Sequence, residues 1–252
     1  MTAAFSILYW TFFSLSAIVL FAVAVILWLV TLPFDRNRAL LHRYTCWWGT
    51  LYVRCLPGCQ IRVEGREKIV PGVAYVMVAN HQSFTDIMAL SALAVPFKWV
   101  SKKEAFRLPF IGWNMWLNQY VCVDRGNLRK VRETMEECKG WLKLGMSLLM
   151  FPEGTRSKDG AMHEFHNGSF KLAADCDCPV LPIVVDGTFP IYRGWKVLAF
   201  PGQITIRVLD PVTVQDAGGK VSVLCERVFE RMKQELAGIR GKLPECSPSA
   251  RR

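Results

Sequence analysis

A chain of 252 residues has room for one substantial domain with a buried core and a short appended element at either end, which sets aside a multidomain assembly. Hydrophobic residues make up 52% and the formal net charge is +10; the first points to one concentrated apolar segment, the second to an anionic partner such as a membrane surface, a substrate or nucleic acid. Nine cysteines, an odd number without regular pairing, fit reduced thiols, and neither Cys55 with Cys59 nor Cys176 with Cys178 has the CxxC spacing of a zinc site, so no metal is expected.

From Met1 to Phe34 there is no charged side chain, and about 20 apolar residues suffice for a helix to cross a bilayer. Tyr9 and Trp10 at one end and Trp28 at the other would stand roughly 27 Å apart, near the thickness of the hydrocarbon layer. With no basic start and an apolar run too long for a signal peptide, residues 1–35 read as a retained membrane anchor. Arg36, Arg38, His42 and Arg43 follow directly, which places the rest of the chain on the cytoplasmic face. The anchor also tips the choice of anionic partner toward lipid and away from nucleic acid. The same length fits two helices broken near Ser14 and Ser16 and lying in one leaflet. No Gly or Pro marks a break, so one crossing helix is the expectation.

Residues 36–240 read as one domain and 241–252 as a flexible tail. Seven short β-branched and aromatic runs predict strands: 59–63, 73–80, 97–101, 119–124, 147–151, 180–186 and 203–210. Helical patterns lie between them, clearest at Asn127 to Leu144 and Val221 to Ile239. The alternation predicts an α/β domain with a mixed, roughly seven-stranded sheet flanked by helices. Such sheets bind ligands beyond the carboxyl ends of their strands, so the residues after Asn80, Val123 and Phe151 are the first places to look for chemistry.

The first of these positions carries His81, Gln82, Ser83, Phe84, Thr85 and Asp86, followed by an apolar helical run. Five residues turn a helix by about 500°, so His81 and Asp86 meet only if the histidine sits in the loop and the aspartate in the first helical turn. Asp86 then fixes the imidazole tautomer and leaves the other nitrogen of His81 as a general base. A plain capping box from Ser83 to Asp86 is the competing reading, and the two are compatible. After the strand ending at Phe151 come Glu153, Gly154, Thr155 and Arg156, a turn suited to an anionic polyol: a guanidinium to grip phosphate, a glycine to let backbone approach, a carboxylate to accept from hydroxyls. Arg125 supplies a second guanidinium in the Asp124–Asn127 turn, and Lys102 and Lys103 add ammonium groups ahead of residues 108–113.

Taken in order, NHQSFTD, the span from LPFIGW to CVDRG, FPEGTRS and VLPIVVDGT resemble the four motifs of the glycerolipid acyltransferase family, and the EGTR form resembles its 1-acylglycerol-3-phosphate acyltransferase branch. That resemblance implies His81 as general base, Asp86 as its orienting partner, Lys102 steadying the developing oxyanion, and Arg125, Glu153, Gly154, Thr155 and Arg156 around the acceptor phosphate. It assigns no chemistry to the DGT that follows residue 185, and Pro182 is expected to shape the acyl pocket. The implied reaction moves a fatty acyl group from acyl-CoA or acyl carrier protein to the sn-2 hydroxyl of lysophosphatidic acid at a membrane. No cofactor is expected, since no GxxxxGK-type loop appears. The alternatives are another lysolipid acceptor, such as a lyso amino-acid lipid or lysophosphatidylcholine, or a non-catalytic binder of anionic lipid.

Overall fold

The computed structural model of the chain describes residues 3–124, 126–193, 196–197 and 202–242. Two helices come first, α1 (Ala3–Thr31) and α2 (Ala39–Arg54), then β1 (Cys59–Glu64), β2 (Val76–Ala79), α3 (Thr85–Leu90), β3 (Phe97–Lys102), α4 (Ile111–Leu117) and β4 (Val121–Val123). The second half contributes α5 (Leu128–Lys143), β5 (Ser147–Met150), α6 (Gly168–Asp175), β6 (Val180–Asp186), a short hairpin of β7 (Tyr192–Arg193) and β8 (Lys196–Val197), β9 (Gly202–Val208) and α7 (Val221–Lys242).

Seven strands form one mixed sheet in the order β1-β9-β6-β2-β5-β3-β4. Strands β6, β2, β5, β3 and β4 are mutually parallel, β9 runs antiparallel to β6, and β1 is parallel to β9. Because side chains alternate along a strand, each strand feeds two cores. Tyr75, Met77 and Ala79 face α2 and α3, whereas Val76 and Val78 face α5, α6 and α7. The carboxyl ends of the five parallel strands therefore emerge along one edge, and they carry the loops that hold His81, Lys102, Asp124, Glu153 and Thr188.

α1 is one unbroken helix, as expected, but it lies along the domain. Tyr44 Oη donates to Leu20 O at 2.9 Å, and Tyr9 Oη donates to Tyr52 O at 3.2 Å, so α1 and α2 pack antiparallel. At the amino end of α1, Ser6 Oγ accepts from Val197 N; at the other end, the Arg38 guanidinium stands 6.0 Å from the Trp28 ring. Ser6, Tyr9, Ala17, Ala24 and Thr31 make the buried stripe of α1. Leu8, Leu15, Val19, Ile26 and Val30 make an exposed apolar stripe opposite it.

Buried polar groups pin this helical pair to the sheet. Asp35 caps α2 by accepting from Ala39 N at 2.7 Å and Leu40 N at 3.0 Å. Lys98, 1% exposed in β3, donates to Asn37 O at 2.8 Å and Asn118 O at 2.6 Å and stands 4.4 Å from the Trp141 ring. His42 of α2 is buried between the Val95 carbonyl (3.0 Å from Nε2) and the Tyr120 hydroxyl (2.7 Å from Nδ1). The carbonyl can only accept, so Nε2 carries the hydrogen and Nδ1 accepts from Tyr120. Burial pulls the His42 pKa down to about 3, which keeps the ring neutral.

Candidate active site

His81 leaves the end of β2 on a backbone held from three sides. Asn80 clamps β2 to β6, its amide nitrogen donating to Val185 O and its oxygen accepting from Val185 N, both at 2.8 Å. His81 N donates to Glu153 Oε1 at 2.7 Å, and His81 O accepts from Ser157 N at 2.8 Å. The imidazole stacks on Phe151, with centroids 3.9 Å apart and planes 10° from parallel. Rotation of the ring is thus restricted, and its side chain is 14% exposed.

Asp86, in the first turn of α3, is fully buried. Its Oδ2 lies 2.8 Å from His81 Nδ1 and also accepts from Gln82 N at 2.6 Å and Ser83 N at 2.8 Å. Thr188 Oγ1, wholly buried, donates to Oδ1. The two readings of Asp86 in the sequence therefore coexist: it secures the loop before α3 and orients the imidazole. With Nδ1–H given to the carboxylate, Nε2 is left as the basic nitrogen.

The dyad opens into a cleft of about 590 Å³. His81, Lys102, Gly154, Thr155 and Arg156 all line it, so the structure brings five of the expected residues to one space. Lys102, Thr155 and Arg156 are exposed; Gly154 is buried with a φ of +72°, a left-handed turn that glycine adopts without penalty. Thr155 and Arg156 also border a second cleft of about 640 Å³ that reaches Trp10 of α1 and Tyr192 of β7. A third space, an apolar cavity of about 120 Å³ between α2, α3 and α4, shares Ile87, Ser101 and Ala105 with the main cleft.

Two expectations come out differently, and a third falls outside the described residues. Glu153 does not face the cleft as an acceptor for hydroxyls; it is 4% exposed, and its two oxygens accept from His81 N and from His163 N at 3.0 Å. Burial raises its pKa, with those two amides opposing. Pro182 lies inside β6, paired with Val78, and lines none of the three cavities. Arg125 lies outside the described residues; beside it, Asp124 accepts from Lys103 Nζ at 3.0 Å, which holds its carboxyl below the usual range. The sequence reading missed Asn80, Phe151 and Thr188. Asn80 and Phe151 were legible as the last residues of predicted strands, and Thr188 as the last residue of the fourth motif, to which no chemistry was assigned.

Comparison with known proteins bears on this arrangement. A family model described as Acyltransferase matches residues 60–186. The chain is 36% identical over 203 residues to the 1-acyl-sn-glycerol-3-phosphate acyltransferase of Chlamydomonas reinhardtii, an alignment covering 79% of this chain and 60% of that protein. To the chloroplastic enzyme of that name from Arabidopsis thaliana it is 33% identical, over 81% of this chain and 57% of that protein. To the one from Pseudomonas aeruginosa it is 30% identical, over 88% and 83%. The chain thus spans about three-fifths of the length of the algal and plant relatives. The fold matches the crystal structure of the 1-acyl-sn-glycerophosphate (LPA) acyltransferase PlsC from Thermotoga maritima, with a TM-score of 0.79 at 24% identity over 95% of this chain and 96% of that one.

Proposed function

Because the chain belongs to the acyltransferase family, we propose that it transfers a fatty acyl group from acyl-CoA or acyl carrier protein to the sn-2 hydroxyl of lysophosphatidic acid, giving phosphatidic acid. The observation that carries this reading is the buried Asp86 carboxylate 2.8 Å from Nδ1 of an imidazole that faces a cleft lined by Lys102 and Arg156.

An acceptor hydroxyl is a poor nucleophile with a high pKa, so attack requires a base at Nε2 of His81. As the hydroxyl oxygen bonds to the thioester carbon, its proton passes to Nε2, and the imidazolium that forms is stabilised by Asp86. Negative charge gathers on the former carbonyl oxygen, where Lys102 on the cleft wall is the cation at hand; one such donor contributes about 3 kcal/mol. Collapse breaks the C–S bond and returns the proton to sulfur. A thioester is reactive enough that no covalent enzyme intermediate is needed. Arg156 grips the acceptor phosphate bidentately, Thr155 and Gly154 shape the turn that presents it, and Arg125 joins them as a phosphate ligand. Glu153 works beneath the site, holding the backbone of His81. The apolar cavity beside Ile87 and Ala105 suits an acyl chain.

The exposed stripe of α1, with Trp47 of α2 and Trp113 and Trp116 of α4, forms the membrane-binding face. Contacts along the whole of α1 favour a helix lying in one leaflet over one that crosses it, because a crossing helix would draw the domain into the bilayer. The cleft bordered by Trp10 and Arg156 then gives a lysolipid a path from that leaflet to Thr155 and Arg156, which also line the cleft of His81.

The test is a set of labelled acyl donors offered to purified protein with a panel of lysolipids. Lysophosphatidic acid is expected to be used best, and Arg156→Ala to raise KM about 10- to 100-fold for acceptors with a terminal phosphate. Equal weakening for acceptors without that phosphate would rule out the grip assigned to Arg156, and transfer to none of the lysolipids would rule out the function.

A further inference from the structure

Past Phe151 the main cleft continues to the start of α6, a region that the acyl transfer described above does not use. Hydrogen-bonding capacity is left open there. The residue before the helix, Asn167, makes no capping hydrogen bond through its side chain, so the first N–H groups of α6 have neither intrahelical acceptors nor a cap. In the first turn Ser169 is 6% exposed, and its buried Oγ has no hydrogen-bond partner among the described residues. A buried hydroxyl without a partner is costly and calls for an occupant. Gly168 and Ser169 both line the cleft, together with His166.

The electrostatics agree. Lys102 and Arg156 stand on the walls of the same cleft, and among the described residues no Asp or Glu lines it. An open helix start carries partial positive charge and presents N–H groups to an oxyanion. We propose that the amino end of α6, through its first N–H groups and the Ser169 hydroxyl, binds a phosphate group of a substrate. The phosphate belongs either to the carrier arm of the thioester donor or to the acceptor, and only that choice of source rests on the acyl-transfer reading.

Gly168→Asp is the decisive variant. A Cβ at Gly168 meets nothing within 4 Å, so the side chain fits, and a carboxylate in a first helical turn favours the fold while occupying the anion position. In an Arg156→Ala background, which removes the guanidinium of the rim, inorganic phosphate is titrated and the melting temperature followed. Phosphate raises the Tm of the Arg156→Ala protein, and adding Gly168→Asp moves the midpoint to about tenfold higher phosphate. Ser169→Ala moves it in the same direction. An Arg156→Ala protein that ignores phosphate, or one that responds identically with Gly168→Asp, overturns the site whatever the activity assay says.

Kinetics of Gly168→Asp in the otherwise native chain then assign the source. A rise of about tenfold in KM for acyl-CoA but not for acyl-pantetheine, which lacks the phosphates, assigns it to the donor. A rise for lysophosphatidic acid but not for monoacylglycerol assigns it to the acceptor. No change in KM for any of the four overturns the proposal. A chain that transfers acyl groups to nothing contradicts the proposed function, and the phosphate titration still decides the site on α6.

Discussion

At the scale of single residues, Asp86 is the centre of the arrangement. It is fully buried, yet four donors surround it: the His81 ring, the amides of Gln82 and Ser83, and the Thr188 hydroxyl. Hydrogen bonds to a charged group are worth about 1.5–3 kcal/mol each. Thr188→Val removes one of them with little change in shape, and kcat is expected to fall about 10- to 100-fold with KM unchanged. Thr188→Ser should restore the rate, and a folded Val variant with full kcat would remove Thr188 from the account. How much of this was legible follows from sequence distance. His81 and Asp86 lie five residues apart at a strand-to-helix junction, where spacing alone suggests their contact. Thr188 lies 102 residues from Asp86, and only the parallel pairing of β2 with β6 brings the two together. Glu153 was misread for the converse reason: a carboxylate beside an arginine in a turn looks exposed, and only the tertiary path of the chain turns it inward to two amides.

At the scale of elements, α1 shows where hydrophobic pattern loses its information. Its sequence is apolar all round, so no period tells the face that packs on α2 from the face that is left exposed. The structure separates them, placing the small and polar residues Ser6, Ala17, Ala24 and Thr31 inside and leaving branched aliphatic residues outside. Lysine at Leu15 and Val19 together should therefore abolish co-flotation with lipid vesicles while leaving Tm within a few degrees of wild type. Lysine at Ala17, 3% exposed, should instead prevent stable folding, since it buries an unpaired charge. Loss of folding in both cases would contradict the assignment of faces. The junction of α2 with the sheet gives a pH dependence. The His42 pKa falls from an ordinary 6.5 to about 3 in the folded protein. The unfolded chain therefore binds the proton more readily, and this contribution to stability is complete above about pH 6.5 and is lost as pH falls toward 3. Chemical denaturation across that range should show a steeper acid loss for wild type than for His42→Gln. Equal slopes would mean that His42 is not held neutral.

At the scale of the molecule, five parallel strands end along one edge, where two clefts share Thr155 and Arg156 and the second of them reaches α1 at Trp10. The α/β class, seven strands and an apolar first helix were readable from the sequence because each rests on local pattern. The antiparallel return of β9 beside β6 and the flat packing of α1 were not, because both depend on contacts between distant segments. In the reaction proposed above, this geometry brings acceptor and thioester to a single imidazole, that of His81. The most direct test is the rate of phosphatidic acid formation from acyl-CoA and lysophosphatidic acid by the native chain and His81→Gln, compared at matched Tm. A loss of about 10² to 10⁴ in kcat is predicted for the variant. A His81→Gln protein that turns over at the native rate would contradict the claim that this imidazole is the base.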